Sequence, residues 1–253
     1  MTYSIIARDP ESHEIGIAVA SRFFACGAAV PYIGRRVAVA TQAFVNPLWG
    51  TEGRRMLESG DPAEALLKEF AARDAGRDIR QCHMLDAEGN FAAHTGAGCV
   101  EWAGHRVGTI HSVAGNMLTG PEVVEATFDT YAARSDLPMA ERLLAAMRAG
   151  EEAGGDKRGR QAAGLVIHRG QDHAYLDLRV DDHGDPLGEL DRLLEVAGER
   201  YLHVAEAMPS LDNFSGTSDR APIDAAIAQA EEARKAAGKA SRSLATDVET
   251  KKD

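Results

Sequence analysis

Thr2 follows Met1, and removal of that methionine would leave two complementary groups on one residue, a hydroxyl and a free α-amine. Methionine aminopeptidases clear Met when the next residue is small. A threonine hydroxyl is a weak nucleophile until a base takes its proton, and an α-amine, whose ordinary pKa is about 7.7–8.0, suits that task near neutrality. Such a pair could attack an amide-type carbonyl carbon. The plainer reading is an ordinary strand residue with good β propensity. What favours chemistry is a β-rich run that starts at residue 2 itself, which lodges the terminus in a sheet instead of a frayed leader.

Other residues have side chains that could serve such a reaction. Asn116, after a strand and before a helix, could donate its amide to a tetrahedral oxyanion, although Gly115-Asn116 also suits a turn. Arg22, Gln42 and Asn46 fall at or just beyond the ends of early strands, where they could bind substrate; Arg22 could clamp a carboxylate or make a surface ion pair. Asp156 and Gln161 bracket the polar loop Asp156-Lys157-Arg158-Gly159-Arg160-Gln161, which could orient the terminal amine or simply be a solvated charge cluster. Asp177, Arg179 and Asp181 alternate onto one strand face, where they could form an ion-pair ladder. Cys26 lacks a histidine partner in sequence and reads as a small buried residue. Neither a recognised metal-loop spacing nor a cofactor motif is present, so neither group is expected.

The elements that must position these groups come in an ordered pattern. Thr2 to Arg8 and Ile15 to Ser21 form a hairpin around Asp9-Pro10, and Val37 to Ala43 is a further strand ended by Asn46-Pro47. Helices are expected over about 51–58 and 62–72, with Gly60 closing the first and Asp61-Pro62 with Glu64 capping the second. A second hairpin (81–85 and 91–95) and a strand from Gly108 to Val113 follow. Thr119 through Glu122 has capping-box spacing before a helix to about Arg134, and Pro138 opens another to about Ala153. A third hairpin, 165–168 and 174–180, precedes a last helix from Asp185-Pro186 to about Met208. Strands in hairpins and helices in pairs predict an α+β protein, a four-layer αββα sandwich of two antiparallel sheets flanked by helices. Residues 1–209 are expected to form this domain, and 210–253, rich in Ala, Lys, Glu, Ser and Asp, a poorly packed or partly helical tail.

Charge narrows the partners. The 28 basic and 39 acidic residues leave a net charge of −11, which repels phosphate backbones and anionic membrane surfaces. Three widely spaced cysteines suggest no disulfide framework, and no signal peptide or membrane span is recognisable; a cytoplasmic protein, homodimeric by default, is the expectation.

Thr2 through Asp9, Gly16 through Arg22, Ala40-Thr41-Gln42-Ala43, Gly115-Asn116 and Asp156 through Gln161 together resemble a bacterial family of uncharacterised proteins of the N-terminal-nucleophile (Ntn) hydrolase type, over about residues 2–207. The resemblance implies the Ntn αββα fold, a threonine at the mature terminus and hydrolysis of an amide-like bond. The opening hairpin also looks like that of proteasome β subunits: Arg22 matches the arginine at the end of the second strand. Ala20 stands where those proteins carry an acid, and Arg36 is the only plausible counterpart of their activating lysine, a departure that leaves the α-amine as sole base. The expected activity is an amidohydrolase acting on an N-acylated or N-carbamoylated amino acid or small peptide, with Thr2 as nucleophile and Asn116 at the oxyanion. The alternative is a catalytically silent Ntn-like protein that binds a ligand or acts as a scaffold with Met1 retained.

Overall fold

The computed structural model describes residues 2–246. Its elements begin with β1 (Thr2–Arg8), β2 (Glu14–Ser21), α1 (Cys26–Ala29), β3 (Pro31–Ile33), β4 (Ala38–Ala43), α2 (Pro47–Glu58) and α3 (Ala63–Arg73). They continue with β5 (Arg80–Leu85), β6 (Phe91–Thr95), β7 (Trp102–Val107), β8 (His111–Leu118), α4 (Glu122–Ala133) and α5 (Met139–Glu152). The last elements among the described residues are β9 (Ala162–Arg169), β10 (Leu176–Val180), α6 (Pro186–Glu199), α7 (Tyr201–Ala205) and α8 (Ala221–Ala236). The strands form two antiparallel sheets, ordered β10-β9-β2-β1-β8-β7 and β3-β4-β5-β6, so the protein is α+β.

Alternation along each strand assigns its residues to two faces. In β1, Tyr3 reaches the helices, its hydroxyl donating to the Met147 carbonyl of α5 at 2.8 Å, whereas Ile6 joins a core shared with Ile15, Ile17, Ile33, Ala40 and Leu85. That core draws on both sheets, so they face each other. Val37, just before β4, and Val39, Cys82 and Met84 of β4 and β5 turn the opposite way, packing on Trp49 and Leu57 of α2 and on Leu66 and Phe70 of α3. Helices α4 and α5 pack on each other and against β8 and β2. Beside β2, a Cβ on Gly164 of β9 would lie 2.6 Å from Gly27 Cα, so glycine at this position lets α1 sit flush on the sheet.

Several sequence expectations need correction. Helix α2 starts a turn earlier than expected because Asn46 caps it, accepting from the Leu48 N–H at 3.0 Å, with Pro47 in its first turn. Asp61 does not cap α3; the Ala63 N–H is taken by the Asp86 carboxylate at 3.2 Å, from a distant hairpin turn. The capping box at Thr119 does not form, since the residue at the cap is Pro121. Strands β3 and β7 were not expected, and β8 runs on to Leu118, so Asn116 lies within a strand and not in a turn. The expected last helix is two, α6 and α7, interrupted at Arg200.

Residues 2–190 form one compact unit and 191–246 fall in a second. In the second, Glu199 receives Arg234 at 3.4 Å and the Ser241 hydroxyl at 2.7 Å, and Ile227 of α8 is buried. Among the described residues no helix is long and apolar enough to cross a membrane.

Candidate functional site

Thr2 opens β1, a central strand of the six-stranded sheet, and pairs in register with Asn116 of β8. On its other side its hydroxyl lies 3.1 Å from the Ser21 hydroxyl at the end of β2. The same alternation that points Ile6 at the facing sheet points Thr2 and Ser4 there too. Both are buried, as are Ser21 and Asn116.

Behind Thr2 the layer between the sheets is polar, and counting protons gives its hydrogen bonds a direction. The Ser4 hydroxyl donates to Gln42 Oε1 at 2.7 Å, so its oxygen must accept from His83 Nε2 at 2.9 Å. The histidine proton is then on Nε2, and His83 Nδ1 accepts from the Ser112 hydroxyl at 2.7 Å. Gln42 Nε2 donates to Gln81 Oε1 at 2.8 Å and to the Ala114 carbonyl at 3.1 Å. Gln81 Oε1 also accepts from Asn116 Nδ2 at 3.0 Å, while Gln81 Nε2 donates to the Gly115 carbonyl at 2.7 Å and the Thr95 hydroxyl at 2.9 Å. The chain closes on Thr2, whose carbonyl accepts from Asn116 Nδ2 at 3.3 Å. Desolvation, helped by the nearby His105, lowers the His83 pKa to about 3, which keeps it the neutral, one-proton partner this pattern requires.

A second group sits one strand over. Asp156, nearly buried, accepts from the Arg22 N–H at 2.7 Å and the Arg158 N–H at 2.8 Å, and bridges to Leu118 at the end of β8. The Arg22 guanidinium donates to the Arg158 carbonyl. Asp156 thus ties the 156–161 loop to the strand ends on both sides of Thr2. Backbone strain gathers at the same ends: Ala43 (φ 66°) follows Gln42 and Met117 (φ 55°) follows Asn116, in a region that non-glycine residues seldom occupy.

Of the residues singled out in the sequence, Thr2 and Asn116 are paired, Gln42 joins them through Gln81, and Arg22 and Asp156 meet each other. Gln42 is fully buried with its amide engaged at both ends, so it supports the site and offers substrate no surface. Asn46 caps α2 and donates to Asp74 at 3.0 Å, and Gln161, next to the Ala162 that pairs with Ser21, donates to Asp182 at 3.1 Å; neither side chain joins the hydrogen bonds of the polar layer. The Asp177–Arg179 pair forms, at 2.7 Å, and the Cys26 thiol is buried, its pKa pushed up to about 12 by desolvation. Gln81, His83, Ser21 and Ser112 were not foreseen. Their signal was present: in 81–85 a glutamine and a histidine alternate with Cys82 and Met84, which in a strand buried on both faces calls for polar partners on one of them.

A family model described as a family of unknown function, DUF1028, matches residues 2–190. The chain belongs to this family. Among solved structures it is similar to the DUF1028 protein SPO2555 from Silicibacter pomeroyi, at 32% identity and a TM-score of 0.80, covering 86% of this chain and 96% of that one. No curated protein matches it. The DUF1028 match includes every residue of the polar network and stops where the first compact unit does.

Proposed function

We propose that this protein is an N-terminal-nucleophile amidohydrolase built as a four-layer αββα sandwich, with Thr2 as the nucleophile after Met1 is removed. One observation carries the reading. The first residue after Met1 starts a central strand, its hydroxyl beside that of Ser21 and its carbonyl accepting from Asn116, the last member of a buried and directed polar network. A hydrogen-bonded layer of this kind costs stability if any member loses its partner, and it pre-orients dipoles where charge develops. The facing sheets, with α2 and α3 on one and α4 and α5 on the other, support the architecture.

In this mechanism the α-amine takes the Thr2 hydroxyl proton as Oγ1 attacks the carbonyl carbon of an amide or ureido group. The tetrahedral oxyanion is met by Asn116 Nδ2, displacing its longer bond, the one to the Thr2 carbonyl. Collapse breaks the C–N bond, and the α-ammonium returns the proton to the departing nitrogen. Water then adds to the ester, giving one proton to the same amine, and the acid leaves as Oγ1 regains its hydrogen. Arg22 on the neighbouring strand end is the group for a substrate carboxylate, which points to an N-acylated or N-carbamoylated amino acid or a short peptide.

Intact-mass measurement and a turnover screen of N-capped amino acids and dipeptides test this. The expected results are loss of Met1, hydrolysis of at least one compound, and no turnover by Thr2→Ala, which retains its fold. A retained Met1 in the purified protein, or full activity in Thr2→Ala, would remove Thr2 from the chemistry.

A further inference from the structure

A cleft of about 370 Å³ opens elsewhere in the first unit, lined by residues of β3, α2, β9 and β10. It lies away from Thr2 along the sheet. Its wall residues Val166 and His168 pair with Ile17 and Ile15, near the far end of β2 from Ser21, and none of the Thr2 network lines it. The volume falls at the lower end of the range for metabolite sites, about 300–1,000 Å³.

The wall carries an unanswered polar atom. His168 is 6% exposed, and its Nδ1 lies 3.1 Å from the Gln171 carbonyl. A carbonyl only accepts, so Nδ1 holds the proton and Nε2 a lone pair, which finds no partner among the described residues. Burial lowers the ring's pKa against the opposing pull of the Gln171 bond, in keeping with a neutral ring. The Tyr32 hydroxyl on the same wall also lacks a hydrogen bond among the described residues. Two guanidinium groups complete the set. Arg54 uses NH1 on the Ile33 carbonyl (3.0 Å) and Asp172 (2.8 Å), and Arg179 uses Nε and NH2 on Asp177 (2.9 and 2.7 Å), which leaves further N–H groups on each. Each arginine already has a carboxylate beside it, Asp172 or Asp177, so these four groups sum to no net charge and the cleft accepts one negative charge on its free N–H groups more readily than two.

We propose that this cleft binds a small monocarboxylate that also carries an N–H or O–H donor, its carboxylate held by Arg54 and Arg179 and its donor by His168 Nε2. A phosphate suits the site poorly, because its second negative charge would meet arginines already paired with Asp172 and Asp177. This site stands apart from the Thr2 chemistry, and its test separates the two.

Titration calorimetry of the full chain with glycolate, lactate, acetate and inorganic phosphate reads it out, since neither hydroxy acid has an amide bond for Thr2 to attack. Glycolate and lactate bind saturably in the millimolar range or tighter, and acetate and phosphate bind about tenfold more weakly or less. Arg54→Met and His168→Phe each weaken lactate by about tenfold or more, whereas Thr2→Ala binds both ligands as the parent does. Arg54 is partly exposed, so Arg54→Met decides the matter if His168→Phe fails to fold. Four results overturn the site: no saturable binding of either ligand, acetate binding as tightly as lactate, binding unchanged in Arg54→Met, or binding lost in Thr2→Ala.

Discussion

On the face of the four-stranded sheet that meets α2 and α3, Val39, Cys82 and Met84 pack on Trp49, Leu57, Leu66 and Phe70. On its other face Ala40 and Leu85 belong to an apolar core, but Gln42, Gln81 and His83 face Ser4, Ser112 and Asn116 across the gap. The same two strands supply both faces, so β propensity does not distinguish them. The apolar face gains by excluding water, with no demand on orientation. The polar stretch holds only while every donor meets an acceptor, and it runs from the strand ends where Thr2, Ala43 and Met117 lie inward to His83 and Ser112. A sheet meant only to be stable would carry the first chemistry on both sides.

Exchanging the two chemistries gives the largest effects. Phe70→Ala empties a well-packed site and is expected to cost about 3–5 kcal/mol in denaturant unfolding, leaving any Thr2-dependent turnover per folded molecule unchanged. Gln81→Leu keeps the volume but strips donors from the Gly115 and Gly104 carbonyls and an acceptor from Asn116; the expected loss is about 1–3 kcal/mol, together with turnover. A Gln81→Leu protein as stable and as active as its parent would show that the polar layer has no need of its partners.

Protons probe the same layer. The His83 ring has an ordinary pKa of 6.5, which the unfolded chain restores, against about 3 when folded. Below pH 6.5 the unfolded chain therefore binds a proton that the folded chain refuses. The stabilisation is complete above that pH and is lost as pH falls toward about 3. The slope is at most about 1.4 kcal/mol per pH unit, or about 2 kcal/mol between pH 6.5 and 5. His111, lowered to about 4 mainly by burial, adds a loss of the same sign. Unfolding free energies measured at pH 7 and pH 5 should differ less in His83→Gln than in the parent by about one proton's worth. Equal differences would mean that His83 titrates no differently folded than unfolded.

The contrast also explains which parts of the molecule could be read from sequence. The β1–β2 hairpin and the helix pairs were legible because alternation, Gly60 and the prolines act within a few residues. Thr2 and Asn116 were found as residue types, but their pairing across the sheet is a matter of register. Asn116 reads from sequence as lying beyond the end of a strand, with Gly115-Asn116 also suiting a turn, whereas pairing with β1 carries β8 on through it. The Gln42–Gln81–His83–Ser4 chain depends on two sheets meeting face to face, which no local pattern encodes. Asp86 capping α3 in place of Asp61 failed to show for the same reason.

Asn46 gives the smallest effect and the sharpest contrast with the buried layer. Like Gln42 it is an amide near the end of β4 that the sequence offers to substrate, yet its carbonyl oxygen accepts from the Leu48 N–H and its nitrogen donates to Asp74. Asp74 also receives Trp49 Nε1 and Arg80 Nε, each at 3.0 Å, so the Asn46 bond is one of several there and its loss leaves the carboxylate held. Removing the cap exposes one helix-terminal N–H to water, and Asn46→Ala is expected to cost about 1 kcal/mol with KM and kcat unchanged. Gln42→Ala, one strand end away but fully buried, should lower kcat, because the Ser4 hydroxyl and Gln81 lose the partner that orients them. If Asn46→Ala instead raises KM while stability holds, the residue touches substrate, and the site extends from the buried layer onto the start of α2.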